Sequence, residues 1–276
     1  MSASQASDAT LPLIMAVLVA ASTQLLVGYN IGVMNAPEKV VFPGHSTAEW
    51  SLAVAAFAIG GPFGSMAGGK LADSRGRTGA LMIDIWTFLV GGLLQTFAVN
   101  MFMITVARFI IGFASGFATV VGPVYLGEIS PLSMRGLMGT MTQFGIVTGI
   151  LVADFFAFPF ATENGWRFLF AITPIVALIQ VLFSTMLLES PKWLLNRDPD
   201  SLRARYIIKN LQGIGSDSEV EAEIAALTSG QGTRQEAPNQ GLVLRELICS
   251  RKLRRLFFSS VALQMGQQLC GINAVL

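Results

Sequence analysis

The sequence predicts an all-α membrane protein: a six-helix transmembrane bundle, a polar helical insert, and a seventh span cut short where the chain stops. Three observations predict it. Of 276 residues, 53% are hydrophobic and only 13% are charged, about half the charge of an average soluble chain. The charges are clustered, leaving uncharged stretches from Ala9 to Pro37, Trp50 to Gly69, Ile85 to Ala107, Phe109 to Gly127, Gly136 to Ala153, Phe168 to Leu188 and Leu256 to Leu276. Each holds a helix of roughly 20 residues, the length that crosses the hydrocarbon core of a bilayer, and lipid leaves such a backbone no partner except itself.

In order, spans are expected near 11–33, 49–71, 79–99, 102–125, 137–158 and 166–188, with loops short enough to make neighbours antiparallel. Together they form an N-terminal bundle over 1–188. In the second span Gly60, Gly64 and Gly68 recur every four residues, as do Gly112 and Gly116 in the fourth. Such spacing suits close helix packing, or a glycine face along which helices slide during gating. From 189 to 253 the composition turns polar, with helical periodicity in Leu202, Tyr206 and Ile207 and in Val220, Ile224 and Leu227. Asp200 or Ser201 is placed to cap the first of these helices and Gly213 to stop it. Thr228 to Gly241 has the composition of a linker, and 254–276 begins the seventh span, anchored by Arg251, Lys252, Arg254 and Arg255.

Charge sets the orientation. All but three of the eighteen Lys and Arg residues (Lys39, Arg108 and Arg167) fall on one side, so the N-terminus and the insert are expected to be cytoplasmic. A net charge of +1 without a basic tract gives no reason to expect a nucleic-acid partner. Cys249 and Cys270 lie far from the single histidine, His45, which is expected in an exposed loop. No metal, cofactor or enzymatic constellation is therefore expected.

Acids and bases meet at three helix ends on the basic side. "GGKLADSRGRTG" sets Gly69, Asp73, Gly76 and Arg77 in the spacing G-x-x-x-D-x-x-G-R with Arg75 between; "VYLGEISPLSMRG" carries Glu128 and Arg135; "LLESPKWLL" carries Glu189. A network among such ends would hold one orientation of a bundle and release it in another. Within the apolar spans, Gln143 and the run "QQLCGIN" supply neutral amides, which donate and accept like sugar hydroxyls. Gln264, Gln267, Gln268 and Gly271 share a helix face, which Asn273 joins if the helix breaks at Gly271. Amides at these places line a wet path or glue helices together.

In their order and spacing these segments resemble the sugar porters of the major facilitator superfamily, and among them the facilitative glucose transporters. The run from Ile110 through Gly112, Phe113, Gly116, Tyr125 and Glu128 to Arg135 is similar to a diagnostic string of that family, and "GYNIGVMNAPEKV", "QFGIVTGILVA", "LESPKW" and "QQLCGINAV" resemble further segments. The resemblance covers about 11 to 276. It implies a major facilitator N-terminal six-helix bundle, a cytoplasmic helical insert, and a C-terminal bundle that is missing here and needed for function. The partners implied are a hexose and the lipid bilayer, the site the plasma membrane, and the activity facilitated diffusion by alternating access.

The resemblance assigns sugar contacts to Gln143, Gln267, Gln268 and Asn273, an apolar lining position to Ile150, and the cytoplasmic gate to Asp73, Arg75, Arg77, Glu128, Arg135 and Glu189. Proton-coupled members pair a carboxylate at the Asn30 position with an arginine corresponding to Arg108; the amide here implies uniport. Departures are Asp154, an acid where an amide is expected and a candidate partner for Arg108, along with Val27, Ile31, Lys192 and Thr78. A proton/sugar symporter and a half-length sensor or partner protein remain as alternatives.

Overall fold

The computed structural model describes residues 10–130, 134–212, 217–229 and 251–269. Ten α-helices run in order among them: α1 (Leu11–Gly32), α2 (Thr47–Arg75), α3 (Arg77–Thr96), α4 (Met101–Ile129), α5 (Arg135–Phe160), α6 (Trp166–Phe183), α7 (Pro191–Arg197), α8 (Leu202–Gln212), α9 (Asp217–Ser229) and α10 (Arg251–Leu269). The first six are long and apolar enough to cross a membrane. Two compact units divide the chain, Met1–Glu221 and Ala222–Leu276. The first holds α1 to α8 and the second contains α10.

Local chemistry sets the helix ends. A capping box starts α2, with Ser46 Oγ accepting the Glu49 N–H and the Glu49 carboxylate accepting the Ser46 N–H. This holds the helix from residue 47, two earlier than hydropathy alone suggests. Asn100 caps α4 through the Met103 N–H at 2.8 Å, and Ser190 caps α7 ahead of Pro191. Ser201, rather than Asp200, caps α8, accepting the Ala204 N–H at 3.4 Å. Gly213 lies outside the described residues. His45 is half-buried rather than exposed: a ring nitrogen sits 3.0 Å from the Phe42 carbonyl and the ring lies against Trp50.

Glycines let the spans approach at backbone distance. A Cβ on Gly60 or Gly64 would overlap the Phe109 or Phe113 carbonyl of α4, and one on Gly112 or Gly116 would overlap the Phe57 or Gly61 carbonyl of α2. The same device joins α1 to α5 at Gly28 and Gly149. Both glycine stripes thus lie in helix contacts, the first of the two roles expected for them. The exterior of the spans is apolar, with Leu52, Phe63, Phe155, Phe158 and Leu182 exposed, while Gln24, Asn30, Asp84, Arg108 and Gln180 are buried.

Candidate functional site

At the end of the bundle where α2 turns into α3, a single residue, Gly76, makes the turn with φ 90° and ψ 168°. Essentially only glycine adopts this conformation. The absence of a side chain also makes room for the Glu189 carboxylate, which a Cβ at this position would overlap. Glu189 arrives on the extended segment before α7. Its Oε1 accepts N–H groups from Arg77 (2.8 Å), Thr78 (3.3 Å) and Ser190 (2.9 Å), and its Oε2 accepts the Thr78 hydroxyl. An anion at the N-terminus of α3 satisfies donors that a helix otherwise leaves unpaired.

Arg77 then links three helices. Its Nε and Nη2 form a fork on the two Glu128 oxygens at 2.7 and 3.1 Å, and Nη1 reaches the Ala72 carbonyl at 2.9 Å and Asp73 at 3.3 Å. The Arg77 and Glu128 side chains are only 11% and 12% exposed, whereas Asp73 is 71% exposed, so the two-pronged pair carries the strength and the Asp73 contact adds little. Ser190 Oγ donates to Glu128 at 2.7 Å, and the Tyr125 hydroxyl to the Leu188 carbonyl at 2.8 Å. The Trp193 indole and Arg197 donate to the carbonyls of Asp73 and Ser74 in the last turn of α2, tying α7 to it.

Of the gate residues expected from sequence, Asp73, Arg77, Glu128 and Glu189 thus meet. Arg75 is exposed, and among the described residues no ion pair includes it. Arg135 starts α5, but its side chain lies outside the described residues. Thr78, Ser190, Trp193 and Arg197 join the network unforeseen. For Thr78 and Ser190 the signal was available, since both stand beside charged motif residues and can donate a hydroxyl.

A second polar cluster lies deep in the spans. The Asn30 amide donates to the Leu26 carbonyl at 2.9 Å and to Thr173 of α6 at 3.1 Å, and Arg108 Nη1 donates to the Asn30 backbone carbonyl at 2.9 Å. The Arg108 guanidinium also lies 4.3 Å from the centre of the Phe57 ring, a cation–π contact that a desolvated arginine favours. Asp154 is exposed on α5, and among the described residues no ion pair joins it to the buried Arg108. The arginine meets a carbonyl and a ring instead, and its buried Nε has no hydrogen-bond partner. Gln143 is exposed and Ile150 half-buried on α5. Gln267 and Gln268 fall in α10 with side chains outside the described residues, and Asn273 lies wholly outside them.

A family model for sugar (and other) transporters matches residues 16–276. The chain belongs to this family. Among curated relatives, the facilitated glucose transporter member 3 of Gallus gallus is 35% identical over 96% of this chain, and member 1 of the same species 34% identical over 98%. These matches cover 57% and 58% of the relatives, so the chain spans a little over half their length. All are transporters rather than enzymes. The partially occluded inward-open structure of the xylose transporter XylE from E. coli superposes with a TM-score of 0.73 at 23% identity, covering 95% of this chain and 65% of that one. XylE bound to 6-bromo-6-deoxy-D-glucose gives 0.67 at 24%, covering 80% and 54%. The fold is that of the major facilitator superfamily.

Proposed function

We propose that this chain is the N-terminal part of a hexose transporter that works by facilitated diffusion through alternating access. The observation that carries the reading is Asn30. Where a proton-coupled relative would need a titratable group, this chain has an amide fully engaged with Thr173, the Leu26 carbonyl and, through its backbone, Arg108. An amide carries no proton at physiological pH. The names of the sequence relatives support the substrate class.

On this reading Gln143, Gln267, Gln268 and Asn273 hydrogen-bond the sugar and Ile150 lines its path. Residues 189–253 are the cytoplasmic insert, 254–276 begin the second bundle, and the plasma membrane is the site of action. The Arg77–Glu128–Glu189 network ties α2, α3, α4 and α7 into one block. The block therefore rocks as a rigid body instead of shearing between helices. Acting alone, a single bundle has nothing to rock against, so the 276-residue chain inserts in membranes without saturable hexose uptake.

The experiment is uptake by a form extended with a C-terminal bundle, reconstituted in liposomes with and without a protonophore. Saturable glucose uptake that ignores the protonophore supports uniport. Uptake abolished by the protonophore supports the second reading, proton/sugar symport, which Asp154 favours as an exposed acid on α5.

A further inference from the structure

Asp84 stands seven residues into α3 from Arg77, about 10 Å along the helix at 1.5 Å per residue. Its exposure is 0%, and neither carboxylate oxygen receives a hydrogen bond. No part of the gate or of the Asn30 cluster uses it. Helix α3 packs against α2, α4 and α6, and two glycines fix the register. A Cβ on Gly91 would lie 2.7 Å from Ile111 of α4, and one on Gly92 would lie 2.9 Å from the Pro174 nitrogen of α6. Because α3 runs antiparallel to both, Asp84 falls level with Ala118 on α4 and within about one turn of Gln180 on α6 and Ser115 on α4.

At this level the interior is short of hydrogen-bond donors. Gln180 gives its amide N–H groups to Ser22 and Thr23 at 2.8 and 3.2 Å, leaving its Oε1 without a donor, and the Ser115 hydroxyl, itself able to donate, makes no hydrogen bond to Asp84 or to any other group. Nor, among the described residues, is there a cation for Asp84. Helix α4 has no charged residue between Arg108 and Glu128, and α6 has none after Arg167. By the same register Arg108 sits about 15 Å farther along. Arg77 directs its guanidinium to Glu128, Asp73 and the Ala72 carbonyl, and Lys70 of α2 is exposed. A bare carboxylate without donor or cation is the costliest group to bury among packed spans. A carboxylic acid is not, and its O–H is the missing donor.

We propose that Asp84 is a reversible proton-binding site, occupied in the packed arrangement of α3, α4 and α6. An O–H bond forms on one carboxylate oxygen with a proton taken from water, and it breaks by returning that proton to water when the seam is wetted. Acid therefore favours the packed seam and alkali loosens it. The site is separate from the Asn30 position and does not depend on hexose being the cargo.

The test is infrared spectroscopy of the 276-residue chain in lipid nanodiscs, with aspartate carrying ¹³C in the side-chain carboxyl. At neutral pH the carbonyl stretch of a protonated carboxylic acid should be present and should shift with the label. Asp154→Asn should keep it and Asp84→Asn should lose it. Thermal stability of the wild type should fall from mildly acidic to mildly alkaline pH, and that slope should vanish in Asp84→Asn. Should the variant fail to fold, the labelled wild type decides alone: absence of an isotope-shifted acid band at neutral pH overturns the proposal. So does a band present in choline chloride but abolished by sodium chloride, which would make Asp84 a sodium ligand.

Discussion

Gly76→Ala is the sharpest perturbation of the gate, because it acts twice. The backbone at φ 90° and ψ 168° is strained for any residue with a Cβ, costing about 1–3 kcal/mol. The added methyl also overlaps Glu189 Oε2, so the carboxylate must withdraw from at least part of a shell of four donors. Hydrogen bonds to a charged group contribute about 1.5–3 kcal/mol each. Losing one brings the total to roughly 2.5–6 kcal/mol. Gly44 supplies the internal control, since it too has positive φ, 103°, but nothing lies within 4 Å of its would-be Cβ. Gly44→Ala therefore carries only the backbone part, about 1–3 kcal/mol. Detergent-solubilised chain unfolded reversibly in SDS, followed by circular dichroism, measures both. Equal losses for the two variants would refute the claim that glycine is needed to admit Glu189.

Other substitutions discriminate the remaining contacts. Arg77→Ala strands the Glu128 carboxylate, 12% exposed, and should cost about 3 kcal/mol in the same assay; Arg75→Ala, at an exposed position, should stay within about 0.5 kcal/mol. Gly64→Ala drives a methyl into the Phe113 carbonyl and should cost about 1–3 kcal/mol, while Gly61→Ala, with nothing within 4 Å, should be close to neutral. Trp193→Phe removes the indole bond to the Asp73 carbonyl and should raise amide hydrogen exchange in α7 while sparing α1. Asn30→Asp places a carboxylate against Thr173 and near Arg108; in a complete transporter, sugar-evoked alkalinisation should then appear where the wild type shows none.

The spans were legible in the sequence because lipid permits one backbone solution for a long uncharged stretch. The glycine stripes were legible for the same reason, since four-residue spacing has one common use between packed spans. Four gate residues could be read from motif spacing. What joins them could not. That Gly76 alone separates two 20-to-29-residue helices, so that Glu189 fits over the turn, depends on a backbone conformation that many glycines could adopt and few do. The partner of Arg108 was also hidden. An acid on α5 looked suitable by charge, yet the guanidinium meets a carbonyl and a phenyl ring on adjacent helices, and neither carries a distinctive sequence signal. Asp84 drew no reading from sequence, because only the packing shows that both its oxygens lack donors.

Zero-trans uptake of radiolabelled glucose into proteoliposomes is the most direct measurement, comparing the 276-residue chain with the same chain joined to the C-terminal bundle of a facilitated glucose transporter. The account predicts none by the chain alone, and saturable, stereoselective uptake by the joined form that is unchanged by a protonophore. Saturable uptake by the chain alone, or uptake by the joined form that collapses with the proton gradient, would contradict it.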